Sequence, residues 1–375
     1  MKTEENHLKN WLANFKNTDQ FFIQVTLVLT IIGFIFAVSS STYESYRLTN
    51  SFWMLGFKQL IALTIGLFLF FLFWSLDYKF WYKYTWHLAW AILIVMLVTV
   101  FSNLGKTSGG SQRWIDIGFL QFQPAEVAKL TVILLITRFL TKFNWFDFKA
   151  YYYLVFCLAL ILIILKQPDL GTAGILVLLL IQLFFIFGWP LWTLIFTTLL
   201  CGTFGYFKIF STPYQLDRLK FWLNPYLEPQ GRGYNLIQAK YAFGFGGLFG
   251  VGFGNSTQKQ GYLPIPHSDF IFPVIAEEIG FIGVTAILIL YLTWILRGIF
   301  LIKKVQNKYG RILGGAIILL IVTQTIVNIA VTVGLLPVTG VTLPFFSCGG
   351  TSLIVTLSMC GILFNILSTT NKIVN

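Results

Sequence analysis

The sequence predicts an all-α polytopic membrane protein, with about ten transmembrane helices and one large extracytoplasmic loop between helices 7 and 8. Three observations carry that expectation. Of 375 residues, 57% are hydrophobic and only 11% charged, against the roughly 25% charged residues usual in soluble domains. The apolar residues gather in blocks that repeatedly reach the roughly 20 residues needed to cross a hydrocarbon core. The net charge of +12 comes from 26 Lys and Arg against 14 Asp and Glu, and the basic residues sit in short segments between the blocks. Membrane orientation explains that placement better than nucleic acid, so no nucleic-acid partner is expected. A soluble enzyme, a disordered chain and a disulfide scaffold are excluded together.

In chain order the blocks place spans at about 21–40, 58–76, 86–102, 124–141, 150–166, 171–188, 190–209, 270–296, 311–336 and 351–369. The first follows Lys2, Lys9 and Lys16 and is long enough to span, which makes it an uncleaved signal anchor rather than a cleaved signal peptide. With residues 1–20 in the cytoplasm, the inner side also gains Lys79, Lys83, Arg138, Lys142, Lys149, Arg297, Lys303, Lys304, Lys308, Arg311 and Lys372. The short outer loops hold only Arg47, Lys58, Lys106, Arg113 and Lys166. This asymmetry puts both termini, including the tail 370–375, in the cytoplasm. The chain reads as a single integral membrane domain over 1–375, without an internal repeat. Residues 210–269 are too polar for another span and are placed outside, and their aromatic residues (Tyr214, Phe221, Trp222, Tyr226, Tyr234, Tyr241, Tyr262) predict an ordered segment rather than a disordered one. Cys157, Cys201, Cys348 and Cys360 show no metal-like spacing and are expected to serve packing.

Charges within or at the edge of spans are costly and mark candidate sites. In Gln123-Pro124-Ala125-Glu126-Val127-Ala128-Lys129, Pro124 suits the first helical position and Glu126 the first turn. Lys129 follows three residues later on the same helix face, and the apolar run after it disfavours a free lysine. Asp169, just before an apolar run, reads first as an N-cap. Arg113 with Trp114, and Arg218, Lys220 and Arg232 in the long loop, are solvated loop charges when taken singly; together on one side they suit a phosphate or pyrophosphate. The run Pro264-Ile265-Pro266-His267-Ser268-Asp269-Phe270 carries an acid where the chain re-enters the membrane. Asp269 is either an N-cap or a held functional acid, with flanking prolines restricting its backbone and His267 and Ser268 adjoining it. Glu277 and Glu278 follow on the next helix, about 100° apart, so at most one shares the face of Asp269.

These stretches, with Lys166 to Thr172, Gly244 to Asn255, Gln258 to Pro264, His267 to Gly280, Leu336 to Gly340, Leu343-Pro344-Phe345 and Gly349-Gly350, resemble the SEDS family, the shape, elongation, division and sporulation proteins. The resemblance covers nearly the whole chain, and Gly254-Asn255-Ser256 with Gln258-Lys259 and Tyr262-Leu263-Pro264 is closer to the division type than to the elongation type. It implies a ten-helix peptidoglycan glycosyltransferase that polymerises lipid II beside a class B penicillin-binding protein and other division proteins. It implies an essential acid at Asp269, and the family's acid and base at Glu126 and Lys129. Ser268 in place of Thr, and Pro266, Pro273 and Cys348, depart from the family pattern without removing a charged position.

The residues themselves agree with a glycosyl transfer outside the cytoplasm, where no nucleoside triphosphate is at hand and the energy must arrive with the substrate. Attack of an acceptor hydroxyl on an anomeric carbon needs a base, which Asp269 supplies. Departure of lipid pyrophosphate needs positive charge, for which Arg113, Arg218, Lys220, Arg232 and Lys129 are candidates. Trp114, His267 and Ser268 complete the expected substrate-binding set. A divalent cation, Mg²⁺ or Mn²⁺, is an expected helper without assigned ligands, and no organic cofactor is expected. A lipid II flippase and a non-catalytic division scaffold are the alternative functions. The expected location is the bacterial plasma membrane at the septum, or a plastid inner membrane.

Overall fold

A computed structural model describes residues 18–102, 105–108, 111–118, 120–142 and 148–371. Residues 1–17 and 372–375, with Lys2, Lys9, Lys16 and Lys372 of the charge asymmetry, lie outside the described residues. The helices are α1 (Gln20–Thr49), α2 (Met54–Ser75), α3 (Lys79–Phe101), α4 (Pro124–Lys142), α5 (Phe148–Lys166), α6 (Leu170–Ile186), α7 (Leu191–Ser211), α8 (Pro213–Leu223), α9 (Tyr234–Gly246), α10 (Ile271–Lys303), α11 (Lys308–Thr332) and α12 (Gly350–Asn371). Each of the ten expected segments overlaps a helix, with the one at 311–336 running four residues past the end of α11. Six helices, α1, α2, α3, α10, α11 and α12, are long and apolar enough to cross a membrane; the protein is an all-α, polytopic integral membrane protein.

Local chemistry sets the helix ends. Asp19 caps α1 by accepting from the Phe22 N–H, and Asn307 caps α11 by accepting from Gly310. Pro124 opens α4, where its missing N–H leaves no bond unmade. The segment between α7 and α10 is folded rather than open: it holds α8, a 3₁₀ turn (Pro225–Leu227), α9 and a π turn (Gln258–Tyr262). The sequence predicts no strand, yet the protein contains a small sheet. Between α3 and α4 lie three antiparallel strands, β1 (Gly105–Ser108), β2 (Ser111–Ile117) and β3 (Leu120–Phe122), paired in that order, with Ile115 opposite Phe122. Glycine and serine make this stretch resemble a plain loop. The strands gain their order from pairing with one another, and Thr351 at the start of α12 bonds to Gln121 and Gln123 at the end of β3.

The centre is formed by α4, α11 and α12. In α12, 89% of the apolar window is buried, against 28% in α2, α3 and α10, whose outward faces expose Phe57, Phe68, Trp90 and Phe300. On the periphery of a membrane protein such side chains meet lipid tails, which are as apolar as they are.

The sharpest departure from regular helix is at Gly280, whose φ of +67° breaks α10 into two pieces. A break frees backbone groups that a bilayer cannot satisfy. Here residues 247–252 take them up: Val251 N–H donates to the Glu277 carbonyl at 2.9 Å and Gly252 N–H to Glu278 at 3.0 Å, while Phe281 and Ile282 donate to Gly247 and Leu248 at 2.9 and 3.1 Å. The approach is close because the crossing points are glycines. A β-carbon on Gly280 would lie 2.6 Å from the Leu248 carbonyl oxygen, and one on Gly250 2.7 Å from the Gly280 nitrogen.

The side chains of the buried acids lock the same crossing. Glu277, fully buried, accepts from Thr257 N at 3.0 Å, Thr257 Oγ1 at 2.6 Å, Gln258 N at 3.2 Å and Ser256 Oγ. Glu278 pairs with Lys259 at 2.6 Å, and the Lys259 ammonium also donates to Ser39 Oγ on α1 at 2.9 Å. Gly280→Ala should therefore lower the thermal unfolding midpoint in detergent, since a left-handed alanine alone costs about 1–3 kcal/mol before the backbone clash is added. A midpoint equal to wild type would mean the crossing relaxes freely.

Candidate active site

The short first piece of α10, Ile271–Ile279, begins just after Asp269, and Asp269 does not cap it. The residue at the cap position is Phe270, with no side-chain capping bond. The N-cap alternative for Asp269 is therefore set aside, whereas Asp169 is a true cap: its carboxylate accepts from Thr172 N at 3.1 Å and Thr172 Oγ1 at 3.0 Å. Asp269 is held through its backbone. Its carbonyl oxygen accepts from Asn328 Nδ2 of α11 at 2.9 Å, and the same amide group donates to Val341 O at 2.7 Å, joining the acid to the coil that follows α11. His267 O accepts from Cys348 N at 2.7 Å, joining the same segment to the start of α12. The half-buried Asp269 carboxyl is pushed above its ordinary value of 3.8 by burial, partly offset by its own backbone N–H and by the charge of Arg218.

A cavity of about 100 Å³ lies alongside, lined by Arg113, Trp114, Glu126, Lys129, Asp169 and Ser268, with Gln324, Gly340 and Thr342 completing its wall. Glu126 and Lys129 form a buried ion pair at 2.7 Å, and Lys129 donates as well to Gln324 Oε1 at 3.0 Å. Gln324 in turn donates to Thr342 O at 2.9 Å. The lysine that had no cheap explanation in an apolar run thus has two partners, and its charge stays within one turn of its acid. Arg113, carried by β2, donates to the carbonyls of Gln167 and Pro168 and stands 3.9 Å from the Asp169 carboxylate.

Arg218 of α8 donates to Val338 O at 3.1 Å and acts electrostatically on Asp269. The other two loop cations lie apart from this cavity. Arg232 pairs with Asp217 on an exposed face, and Lys220 is exposed on α8. His267 lines a neighbouring cavity with Trp114. Glu277 and Glu278 are committed to Ser256, Thr257, Gln258 and Lys259. Gln324 and Asn328 were not singled out from sequence. Their signal was present: two amides one turn apart in an otherwise apolar helix, where polar groups are disfavoured unless they bond to something. Among the described residues no group of three or more His, Cys, Asp and Glu gathers that could hold a metal ion.

The geometry defines a class, an integral membrane protein with a broken helix and an acid held in coil above it. The chain belongs to the cell cycle protein family of FtsW, RodA and SpoVE, whose profile matches residues 19–372. It is 36% identical over 354 residues to stage V sporulation protein E of Bacillus subtilis, covering 93% of this chain and 96% of that protein. It is 35% identical over 356 residues to the probable peptidoglycan glycosyltransferase FtsW of Coxiella burnetii, covering 93% and 95%. Among solved structures, a chain from work on the structural coordination of polymerization and crosslinking by a peptidoglycan synthase complex superposes with a TM-score of 0.78 at 27% identity, covering 94% of this chain and 98% of that one. The rod shape determining protein RodA of Thermus thermophilus gives 0.69 at 27%, covering 93% and 96%.

The Glu126–Lys129 pair makes a direct prediction about stability. Removing one partner strands a buried charge, at a cost of about 3–5 kcal/mol, while removing both avoids it. Glu126→Gln and Lys129→Gln should each lower the unfolding midpoint, and the double variant should recover most of the loss. Equal loss in the double variant would show that the two side chains act separately.

Proposed function

We propose that this chain is a peptidoglycan glycosyltransferase that polymerises lipid II in septal wall synthesis, with Asp269 as general base and lipid pyrophosphate as leaving group. The observation that carries this reading is Asp269 itself. It is an acid held in position by Asn328 and free of the α10 cap, and its chain neighbour Ser268 lines a cavity with cations in its wall. In the reaction Asp269 takes the proton of an acceptor hydroxyl as its oxygen attacks the anomeric carbon. The bond from that carbon to the pyrophosphate oxygen breaks, and the electron pair leaves with the pyrophosphate. Arg218 and Arg113 are the cations best situated for the developing charge. Lys129 contributes through its pair with Glu126, and Lys220 and Arg232 serve at most the approach of substrate.

Mg²⁺ or Mn²⁺ in this scheme enters with the pyrophosphate, since Mg²⁺ characteristically binds one or two carboxylates plus substrate phosphates, and no step here depends on it. The similarity to a chain of a peptidoglycan synthase complex supports a class B penicillin-binding protein as partner. The proposed setting is the bacterial plasma membrane at the septum, with ten spans, residues 210–269 outside and both termini in the cytoplasm. A lipid II flippase is the second reading, favoured by the broken α10, a feature of transporters. Lipid II polymerisation by purified protein, with and without its partner, separates the two.

Asp269→Asn keeps the shape and the backbone bonds and removes the base. It should express and fold normally and polymerise lipid II about 10²-fold or more slowly; a near wild-type rate would move the base elsewhere. The pH profile supplies a second check. Asp269 acts only when ionised, so kcat/KM rises as pH climbs through its pKa, and burial puts that limb above 3.8. Arg218→Ala removes the charge that favours the carboxylate, so the limb should move to higher pH. An unmoved limb would mean that Arg218 does not act on the base.

A further inference from the structure

His267 and Ser268, adjacent in the chain, line two different cavities. Ser268 lines the small charged one of about 100 Å³, and His267, its chain neighbour, lines a second of about 400 Å³. Trp114, Cys348 and Gly349 border both. The size difference separates their uses, because small-molecule sites run to roughly 300–1,000 Å³. The larger chamber accommodates sugar rings and the smaller admits only a compact group. Their linings differ in the same sense. The small cavity presents the charged groups Arg113, Lys129, Glu126 and Asp169.

The large chamber presents two amides, Gln59 and Gln121, the His267 imidazole and the Trp114 ring, with Lys58 and Glu44 as a single charge of each sign. Glu44 is itself paired with Arg47 at 2.7 Å. Gln59 is 1% exposed and its amide donates to Ser347 O at 3.4 Å, a long bond. His267 Nδ1 is buried without a hydrogen-bond partner among the described residues. Burial holds that imidazole down at about 4, so at neutral pH it is uncharged. A neutral imidazole offers one donor and one acceptor, an amide two N–H donors and a carbonyl acceptor, and both kinds of group are the complement a sugar hydroxyl requires.

We infer that the larger chamber is the acceptor subsite, taking the neutral saccharide that supplies the attacking hydroxyl, while the pyrophosphate end of the donor lies in the small charged cavity. The inference rests on the glycosyl-transfer reading and adds to it which substrate occupies which chamber. In a displacement the attacking hydroxyl and the leaving pyrophosphate lie on opposite sides of the anomeric carbon, and two chambers that share Trp114, Cys348 and Gly349 can hold these groups apart. Gln59 and His267 become specificity residues for the acceptor, and Trp114 the shared face on which the two substrates meet.

The test uses the full chain purified in detergent, with the soluble lipid-free peptidoglycan disaccharide as probe. That disaccharide offers a hydroxyl and lacks a pyrophosphate, so it can compete only as an acceptor. It should inhibit wild-type lipid II polymerisation. Gln59→Leu and His267→Phe should each raise its half-inhibiting concentration at least tenfold, whereas His267→Gln, which keeps a donor and an acceptor, should stay within a few fold of wild type. Unchanged inhibition in Gln59→Leu and His267→Phe, or none in an active wild type, overturns the subsite assignment and leaves the polymerase reading standing. If the wild type does not polymerise at all, the polymerase reading fails by itself. Saturation-transfer NMR of the disaccharide on wild type and Gln59→Leu then decides the chamber alone: loss of signal in the variant supports it, and equal or absent signal refutes it.

Discussion

A membrane helix interrupted at Gly280 leaves amides and carbonyls that hydrocarbon cannot satisfy, and the exchange of hydrogen bonds with residues 247–252 is the constraint from which the rest of this site follows. The exchange requires backbone to touch backbone, which only glycine permits at positions 246, 250 and 280. Once it is made, Glu277 and Glu278 are brought over residues 256–259 and bond to them, so the chain from Ser256 to Glu277 is a loop closed at its base. Asp269 lies within that closed loop. Its position is thereby tied to the core of the bundle rather than to a free connection, which is the condition for a base to meet its substrate at hydrogen-bond distance.

Three cations at the site and the crossing follow one rule. Lys129 has Glu126 and Gln324, Lys259 has Glu278 and Ser39, and Arg113 has Asp169 and two carbonyls. Each is neutralised at close range, as low dielectric surroundings demand. Asp269 differs, because its side chain does not cap α10 and Arg218 acts on it through its charge. A pairing scheme that leaves one acid comparatively uncommitted, next in the chain to residues that line two cavities, separates the groups that hold the site from the group that acts in it.

The similarity to FtsW, RodA and SpoVE proteins along nearly the whole chain fits this division of labour. The outward faces of α2, α3 and α5 need only apolar side chains toward lipid. The central helices α4, α11 and α12 supply the polar side chains Glu126, Lys129, Gln324, Asn328 and Thr351 that shape the site.

Apolar block length alone determined that the chain is a bundle of membrane helices, because hydrocarbon imposes its thickness locally and leaves no other way to satisfy the backbone. Sequence also exposed Glu126, Lys129 and Asp269, since charge beside an apolar run is unfavourable wherever the helices eventually pack. Three matters required the tertiary structure. The strands carrying Arg113 and Trp114 exist through pairing and through Thr351, 228 positions from Gln123, and their own Gly and Ser residues favour no strand. The separation of Asp169, which caps, from Asp269, which does not, depends on where each helix begins, and both sites read alike in one dimension. The gathering of Lys129 with Gln324, and of Asp269 with Asn328, joins side chains whose spacing along the chain carries no period. Contacts of that kind are decided by packing of whole helices, which no local pattern encodes.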